Sequence, residues 1–502
     1  MDNPASRIQH YPLWYLPLAG IFALIYVSLS ALSFTWIVLL FLALCFAAGA
    51  FWFKDIQNVL FFGFVFTSSI SLTKALIVEG GIYTPGLSVT LSDIFLIPLL
   101  FLWLFDKKIV HGEKIYWSKL HFLPLIFLLW SWATMAISED KLAGFFLCIS
   151  FTKYFVIFVF FADYVKTPRQ IRLIFYAFGL AMCVHFMMMF LELMVGNIID
   201  LQGAKTTTTG TSLVFAEAGG VHAFRPSGFM GHPNALADLM VFLLPPMLMM
   251  LILGQSKIGN VRWMAILGLF VFGIIALLLT LSRAGWISFT AAVLFMLFIG
   301  YKRGVVMRKY INMLFVIGGI SIIIAVMVFP TIYLRITESD ERSSESRLAM
   351  MHQAALIIQR NPVVGVGIGG YNRAARANIP EFFAHLSPWF QDELLKGVVH
   401  NKYLLVMAEM GAIGLIIFVL MLWRFIMIVP NDRQWSDPVL FALALGVTAS
   451  IFGQSIFYLF DHFYADQRIT LSYLFFGLLT ALLKIKTVQN RDLITTSKNV
   501  SH

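Results

Sequence analysis

Three basic side chains in the second half of the chain stand where they could act on an anion and on a hydroxyl. Arg225 opens RPSGFMGHPN (225–234), Arg283 lies in LSRAG (281–285), and His400 opens HNKYLLVMAEM (400–410). A guanidinium presents a planar fork of donors that matches phosphate oxygens. An imidazole accepts a proton near neutral pH. Two arginines and one histidine on a common face would suit an anionic leaving group and a hydroxyl nucleophile. The Pro and Gly residues beside Arg225 would fix a tight, non-helical entry into the run that follows.

Each of these residues borders a long apolar run, and so do others. Lys74, Glu192, Asp238, Arg283 and Glu409 fall near run ends that the topology below places on one side, with Arg225, His232 and His400 in the adjoining loops. Singly, each could snorkel or pair with a neighbour. Ionisable groups at membrane depth are costly, and their shared depth implies a polar cavity open to that side.

The elements that must position them are membrane helices. The chain has 502 residues, 60% hydrophobic and only 12% charged, with a mean hydropathy of +0.84. Runs of roughly 18–22 apolar residues recur throughout, each long enough to cross about 30 Å of hydrocarbon. Continuous rather than alternating apolarity argues for helices over a lipid-facing barrel. The net charge of +10 comes from Lys/Arg-rich short connectors, the positive-inside pattern, and does not point to nucleic acid.

The runs predict spans near 12–30, 34–53, 57–78, 91–106, 120–137, 144–165, 172–195, 235–254, 263–281, 284–300, 311–330, 401–423, 438–460 and 469–485, with both termini inside. The first run lacks a cleavage region and reads as the first span. The chain then divides into N-terminal helices (1–195), a first outer loop (196–234), central helices (235–330), a large outer loop (331–400), and C-terminal helices with a cytoplasmic tail (401–502). The 461–468 connector is poor in basic residues and falls outside. Within the large loop, residues 344–360 predict an amphipathic helix with Leu348, Met351, Ala355 and Ile358 on one face, lying on the membrane or on the protein's own top.

Other features carry less chemistry. GVGIGG (365–370) follows a helix and lacks a βαβ frame, so it predicts a tight turn after Asn361-Pro362 rather than a nucleotide loop. Lys153 and Asp163 are too far apart for a same-face pair. His185 predicts a hydrogen-bonded packing role. Cys45, Cys148 and Cys183 fall within apolar runs without metal-ligand spacing and read as small buried hydrophobes.

Together RPSGFMGHPN, SRAG (282–285), SRLAMMHQAALIIQRNPVVGVGIGGYN (346–372) and HNKYLLVMAEMGAIGL (400–415) resemble the O-antigen ligase/polymerase family. The resemblance implies an all-α, GT-C-like polytopic protein of about 12–14 transmembrane helices in a bacterial inner membrane. Its activity would be transfer of an undecaprenyl-diphosphate-linked glycan to a glycan, lipid or protein acceptor, inverting, with no metal, cofactor or nucleotide sugar. Carried over, Arg225 and Arg283 would grip the diphosphate and His400 would be the base. Arg347, Lys74, His232, Asn234 and Asn401 would contact substrate. The residues do not separate polymerase from ligase. A lipid-linked oligosaccharide flippase is the competing class, although transporters place charged sites near the midplane and carry related halves.

Overall fold

The computed structural model describes residues 55–75, 88–197, 215–218, 221–253, 258–308, 312, 319, 341–380, 384–385, 388, 391, 394–395, 397–432, 435–462 and 466–500. Local signals start most of its helices. Thr90 N–H donates to Asp93 (2.8 Å) at the head of α2 (Leu91–Leu104). Asp140 caps α4 (Lys141–Tyr164), and Thr167-Pro168 with Gln170 opens α5 (Pro168–Val195). Ser282 caps α8 (Arg283–Lys302), and Asp437-Pro438 opens α12 (Pro438–Phe457). Side-chain oxygens here satisfy amides left over at a helix start.

With α1 (Ile56–Thr67), α3 (Phe122–Met135), α6 (Pro233–Leu253), α7 (Asn260–Leu279), α11 (Lys402–Asn431) and α13 (Asp466–Val500), these helices form an up-and-down bundle. Eight of the described helices are long and apolar enough to cross a membrane: α4, α5, α6, α7, α8, α11, α12 and α13. The protein is an all-α polytopic membrane protein. The core lies between α6, α12 and α13, where Phe242, Leu244, Leu445, Phe457 and Phe475 are almost fully enclosed. At α7 most of the surface is bare, with Val271, Phe272 and Ile275 facing outward.

One end of the bundle collects basic connectors: Lys107, Lys166, Arg169, Arg303 and Lys486 pair or bond there with Asp163, Glu113, Asp55, Pro430 and Asp432. The opposite end carries Ser138–Asp140, Gly228–Asn234, Thr280–Arg283, His400, Tyr458–His462 and Asp466–Arg468. The eight long helices stand at the expected spans at 144–165, 172–195, 235–254, 263–281, 284–300, 401–423, 438–460 and 469–485, whereas α2 and α3, at the expected spans 91–106 and 120–137, have only 14 residues each. The expected spans at 12–30, 34–53 and 311–330 lie outside the described residues.

The expected span at 57–78 ends early. Thr67, Ser68 and Ser69 turn their hydroxyls onto the carbonyls of Gly63, Val65 and Phe66, at 2.7–2.8 Å. The chain then leaves the helix for a short hairpin of β1 (Thr73–Ala75) with β2 (Ser88–Thr90). Hydroxyl back-bonding of this kind competes with continued helix. A second hairpin, β3 (Phe215–Ala218) with β4 (Val221–Phe224), leads into Arg225.

In the large loop, α9 (Glu341–Arg360) and α10 (Tyr371–Ala377) pack on the start of α11. The buried face of α9 is Ala349, Met350, Gln353, Ala354 and Ile357, while Leu348 is 65% and Met351 42% exposed. The buried face is therefore rotated from the expected one: Ala349 and Ala354 permit the close approach, Met350 and Ile357 are enclosed, and Leu348 and Met351 are left outward. The helix lies on the protein's own top. Cys148 is buried as expected, whereas Cys183 is exposed on the side of α5.

The GVGIGG run forms a strap across a break in α11. Gly411 has φ +68°, and a Cβ there would fall 2.1 Å from the carbonyl oxygen of Val363. The groups freed by the break are satisfied from outside the helix: Val366 N–H donates to Ala408 O (2.9 Å), Ala412 N–H to Pro362 O (2.9 Å), and the Trp130 indole to Met410 O (3.0 Å). Non-helical backbone survives at membrane depth only where protein supplies such partners. Gly365, Gly367 and Gly369 all have positive φ and press their backbone against Glu409, Ser138 and Gly144.

Candidate functional site

The start of α11 is stitched to the end of α12. Asn401 accepts from Leu404 N–H (3.0 Å) as helix cap and donates to Leu459 O (3.1 Å), and Lys402 N–H donates to Tyr458 O (2.8 Å). This places His400, 29% exposed, beside the loop after α12, with its Nδ1 3.8 Å from Oδ1 of Asp461. The same Oδ1 accepts the His462 backbone N–H at 2.8 Å. The two imidazole rings lie 5.0 Å apart.

On its far side Asp461 meets a cation. Arg468 donates through Nη1 to Asp461 Oδ2 (2.9 Å) and through Nε to Asp238 Oδ2 (3.1 Å). The groups His400, Asp461, Arg468 and Asp238 thus run from a partly open end into the sealed core, where Asp238 has no exposure. Burial alone would raise the Asp461 carboxyl. The Arg468 charge, with His400 and His462, holds it well below the usual carboxylate range instead. Burial pushes the His462 imidazole down to about 3, with Asp461 opposing and His400, Arg468 and Lys402 assisting. At neutral pH the loop therefore presents a carboxylate and a neutral His462.

The second half of the site is built from Arg225. Glu192, at the end of α5, accepts from Ser227 N–H (2.8 Å), Ser227 Oγ (2.9 Å) and Gly228 N–H (2.8 Å), clamping the Pro-Ser-Gly turn. His185 is a packing residue as expected, bridging Ser69 O (2.9 Å) and Phe229 N–H (3.2 Å). Arg225, 7% exposed, donates through Nε to Thr280 O (2.8 Å) and through Nη2 to Asn234 Oδ1 (2.8 Å). Thr280 is followed by Leu281 with φ +49°, alone among described non-glycine residues in having a positive φ. A bulky residue there is strained. The turn it makes sets Ser282 as cap and half-buried Arg283 as the first residue of α8. Arg225 and Arg283 therefore share one corner.

His232 joins the two halves. Its Nδ1 accepts from Asn234 N–H (3.1 Å). Burial pushes its imidazole down to about 3, Arg225 adds to this, and Asp461, Arg468 and His400 also act on it. Of the residues expected at the site, Arg225, His232, Asn234, Arg283, His400 and Asn401 thus occupy one end of the bundle, with Asn234 and Asn401 engaged in holding other groups. Lys74 lies on β1, and its side chain is outside the described residues. Arg347 lies half-buried on α9, and among the described residues it shows no ion pair with the His400 group. Glu409 accepts from Gly369 N–H (3.1 Å) and serves the strap.

Asp461, His462 and Arg468 were not singled out in the sequence. The signal was FDHFYADQR (460–468), a dense polar cluster between two apolar runs. His400, Asp461 and His462 also bring their ligand atoms within 4.8 Å of one another, close enough to meet on a cation. Asp461 is already shared with Arg468, and two arginines stand nearby, so the surroundings favour an anion. What this arrangement can do is bind an anion at Arg225 and Arg283 and accept a proton at His400.

The family model described as O-antigen ligase matches residues 247–419. Over those residues the chain is similar to the O-antigen ligase/polymerase family. The match supports a ligase/polymerase-type membrane enzyme, of a family that acts on lipid-linked glycans and glycan acceptors. The O-antigen ligase match takes in Arg283, Arg347 and His400 but neither Arg225 nor the Asp461–Arg468 segment. No curated protein matches the chain.

Proposed function

We propose that this protein is a metal-independent, inverting glycosyltransferase of a bacterial inner membrane. It joins an undecaprenyl-diphosphate-linked glycan to an acceptor hydroxyl at the outer face. The observation that carries this reading is His400 beside Asp461 on the same end of the bundle as Arg225 and Arg283.

In this reading Arg225 and Arg283 hold the diphosphate. Arg225 is rigid, because Thr280 and Asn234 fix two of its donors; donors fixed in advance need little reorganisation as charge develops. Asp461 faces Nδ1 of His400, which keeps the lone pair on Nε2 for the acceptor proton and stabilises the imidazolium that follows. The acceptor oxygen attacks the anomeric carbon from the face opposite the diphosphate. The bond from that carbon to the phosphate oxygen breaks with its electron pair, and the configuration inverts. The proton stays on His400 until solvent takes it. His232 and Asn234 line the passage between donor and base, and Arg347 and Lys74 would meet the glycan.

The test is glycan transfer by purified protein from a lipid-linked donor without nucleotide sugar, comparing wild type with His400→Ala. Transfer by wild type alone supports the assignment. Transbilayer movement of the donor without transfer would replace it with a flippase.

A further inference from the structure

A second cluster of buried charge lies one helix away from the site. Lys153, in the middle of α4, donates to Asp466 Oδ2 (2.6 Å) and Asp93 Oδ2 (3.4 Å). The Tyr154 hydroxyl donates to the other oxygen of Asp466. Asp93 is in turn held by Thr90 N–H at 2.8 Å. Both carboxylates are buried, at 7% and 8% exposure. Asp466 is the first residue of α13, and Arg468 follows two positions later.

At about 100° per residue, side chains two positions apart on a helix point in nearly opposite directions. The first turn of α13 is therefore gripped on both sides: by Lys153 and Tyr154 through Asp466, and by Asp238 and Asp461 through Arg468. Gln467, between them, donates to Thr73 Oγ1 at 2.5 Å. A buried ion pair is poor at adding stability, since apolar residues of the same volume often do as well or better. It is good at fixing one orientation, because an unpaired buried charge is costly in every other.

We propose that Lys153 is a positioning residue for the base: through Asp466 it sets the first turn of α13, hence Arg468 and the stance of Asp461 toward His400. This inference rests on the transferase reading above. Among the described residues, the charged and titratable groups facing His400 are Asp461 and His462 from the loop and His232 before α6; Arg468 from α13 and Lys402 from α11 act on His462 beside it. Among the described residues the ionic partners of Lys153 are Asp93 and Asp466, so its route to His400 runs through α13.

Two readouts test it on the full-length protein. In a transfer assay, Lys153→Met should lower kcat at least tenfold, with KM for the lipid-linked donor within twofold, and Lys153→Arg should retain most of the rate. Independently of turnover, the pH dependence of carbethoxylation at His400, read by peptide mass spectrometry, should shift in Lys153→Met. If Lys153→Met does not accumulate, Tyr154→Phe removes one bond to Asp466 at nearly constant volume and should shift both readouts in the same sense. Wild-type kcat and an unshifted His400 profile in a folded variant would overturn the proposal. A wild type that modifies normally at His400 yet transfers nothing would overturn the transferase reading instead.

Discussion

Asp461 stands between His400 and Arg468, 3.8 Å from the imidazole Nδ1 and 2.9 Å from the guanidinium Nη1. One carboxylate therefore serves two neighbours of different character, and its removal should be read at both. Asp461→Asn keeps the shape but loses the charge that faces His400. A fall in kcat of about 10²-fold or more is expected, on the scale of losing general-base assistance. Transfer at wild-type rate by Asp461→Asn would mean that His400 works without it.

Acid should destabilise the protein in two separable steps. His462 is held neutral down to about pH 3 in the fold, whereas an unfolded histidine gains its proton near 6.5. The unfolded state then binds more protons between those values, so stability falls as pH drops below about 6.5. For Asp461 the folded carboxyl is depressed. Its contribution is complete above the unfolded value near 3.9 and is lost only below it. Thermal unfolding of His462→Gln in detergent should show a weaker loss than wild type between pH 7 and 5. Equal slopes would contradict the assignment.

Arg283→Ala should abolish transfer while the protein still inserts, and Arg283→Lys should remain impaired, because a point charge lacks the paired geometry for phosphate. Full activity in the lysine variant would reduce the role of Arg283 to simple electrostatics.

Glu192 accepts three hydrogen bonds from Ser227 and Gly228 with no exposure of its own. Glu192→Ala strands two buried amides, and a loss of about 2–3 kcal/mol follows from bonds of this kind. Denaturation midpoints measure it. Activity should fall further than stability alone explains, since the turn that carries Arg225 is the part released.

Gly411→Ala places a Cβ against the Val363 carbonyl in a backbone with φ +68°. Strain of about 1–3 kcal/mol is expected from the backbone alone, with the clash added. A variant as stable as wild type would show that the break in α11 can close.

Arg225, Arg283 and His400 could be picked out as candidates because each marks a junction between a polar motif and an apolar run. Asp461 and Arg468 were not, because their meaning lies in partners distant along the chain. No local spacing links Asp461 to His400 or Arg468 to Asp238. The spans were read from apolar length, which cannot see the Thr67–Ser69 hydroxyls that end α1 early. The 3.6-residue period found α9 and put Leu348, Met351, Ala355 and Ile358 on one face. The contact with the bundle is made by the adjoining face, where Ala349 and Ala354 allow close approach and Met350 and Ile357 are enclosed.

The three glycines of the strap rest backbone on backbone against Glu409, Ser138 and Gly144, so the lobe formed by α9 and α10 is welded to the bundle at three points. A weld transmits force and does not swing. In the proposed transfer, substrates would therefore come and go around a fixed overhang.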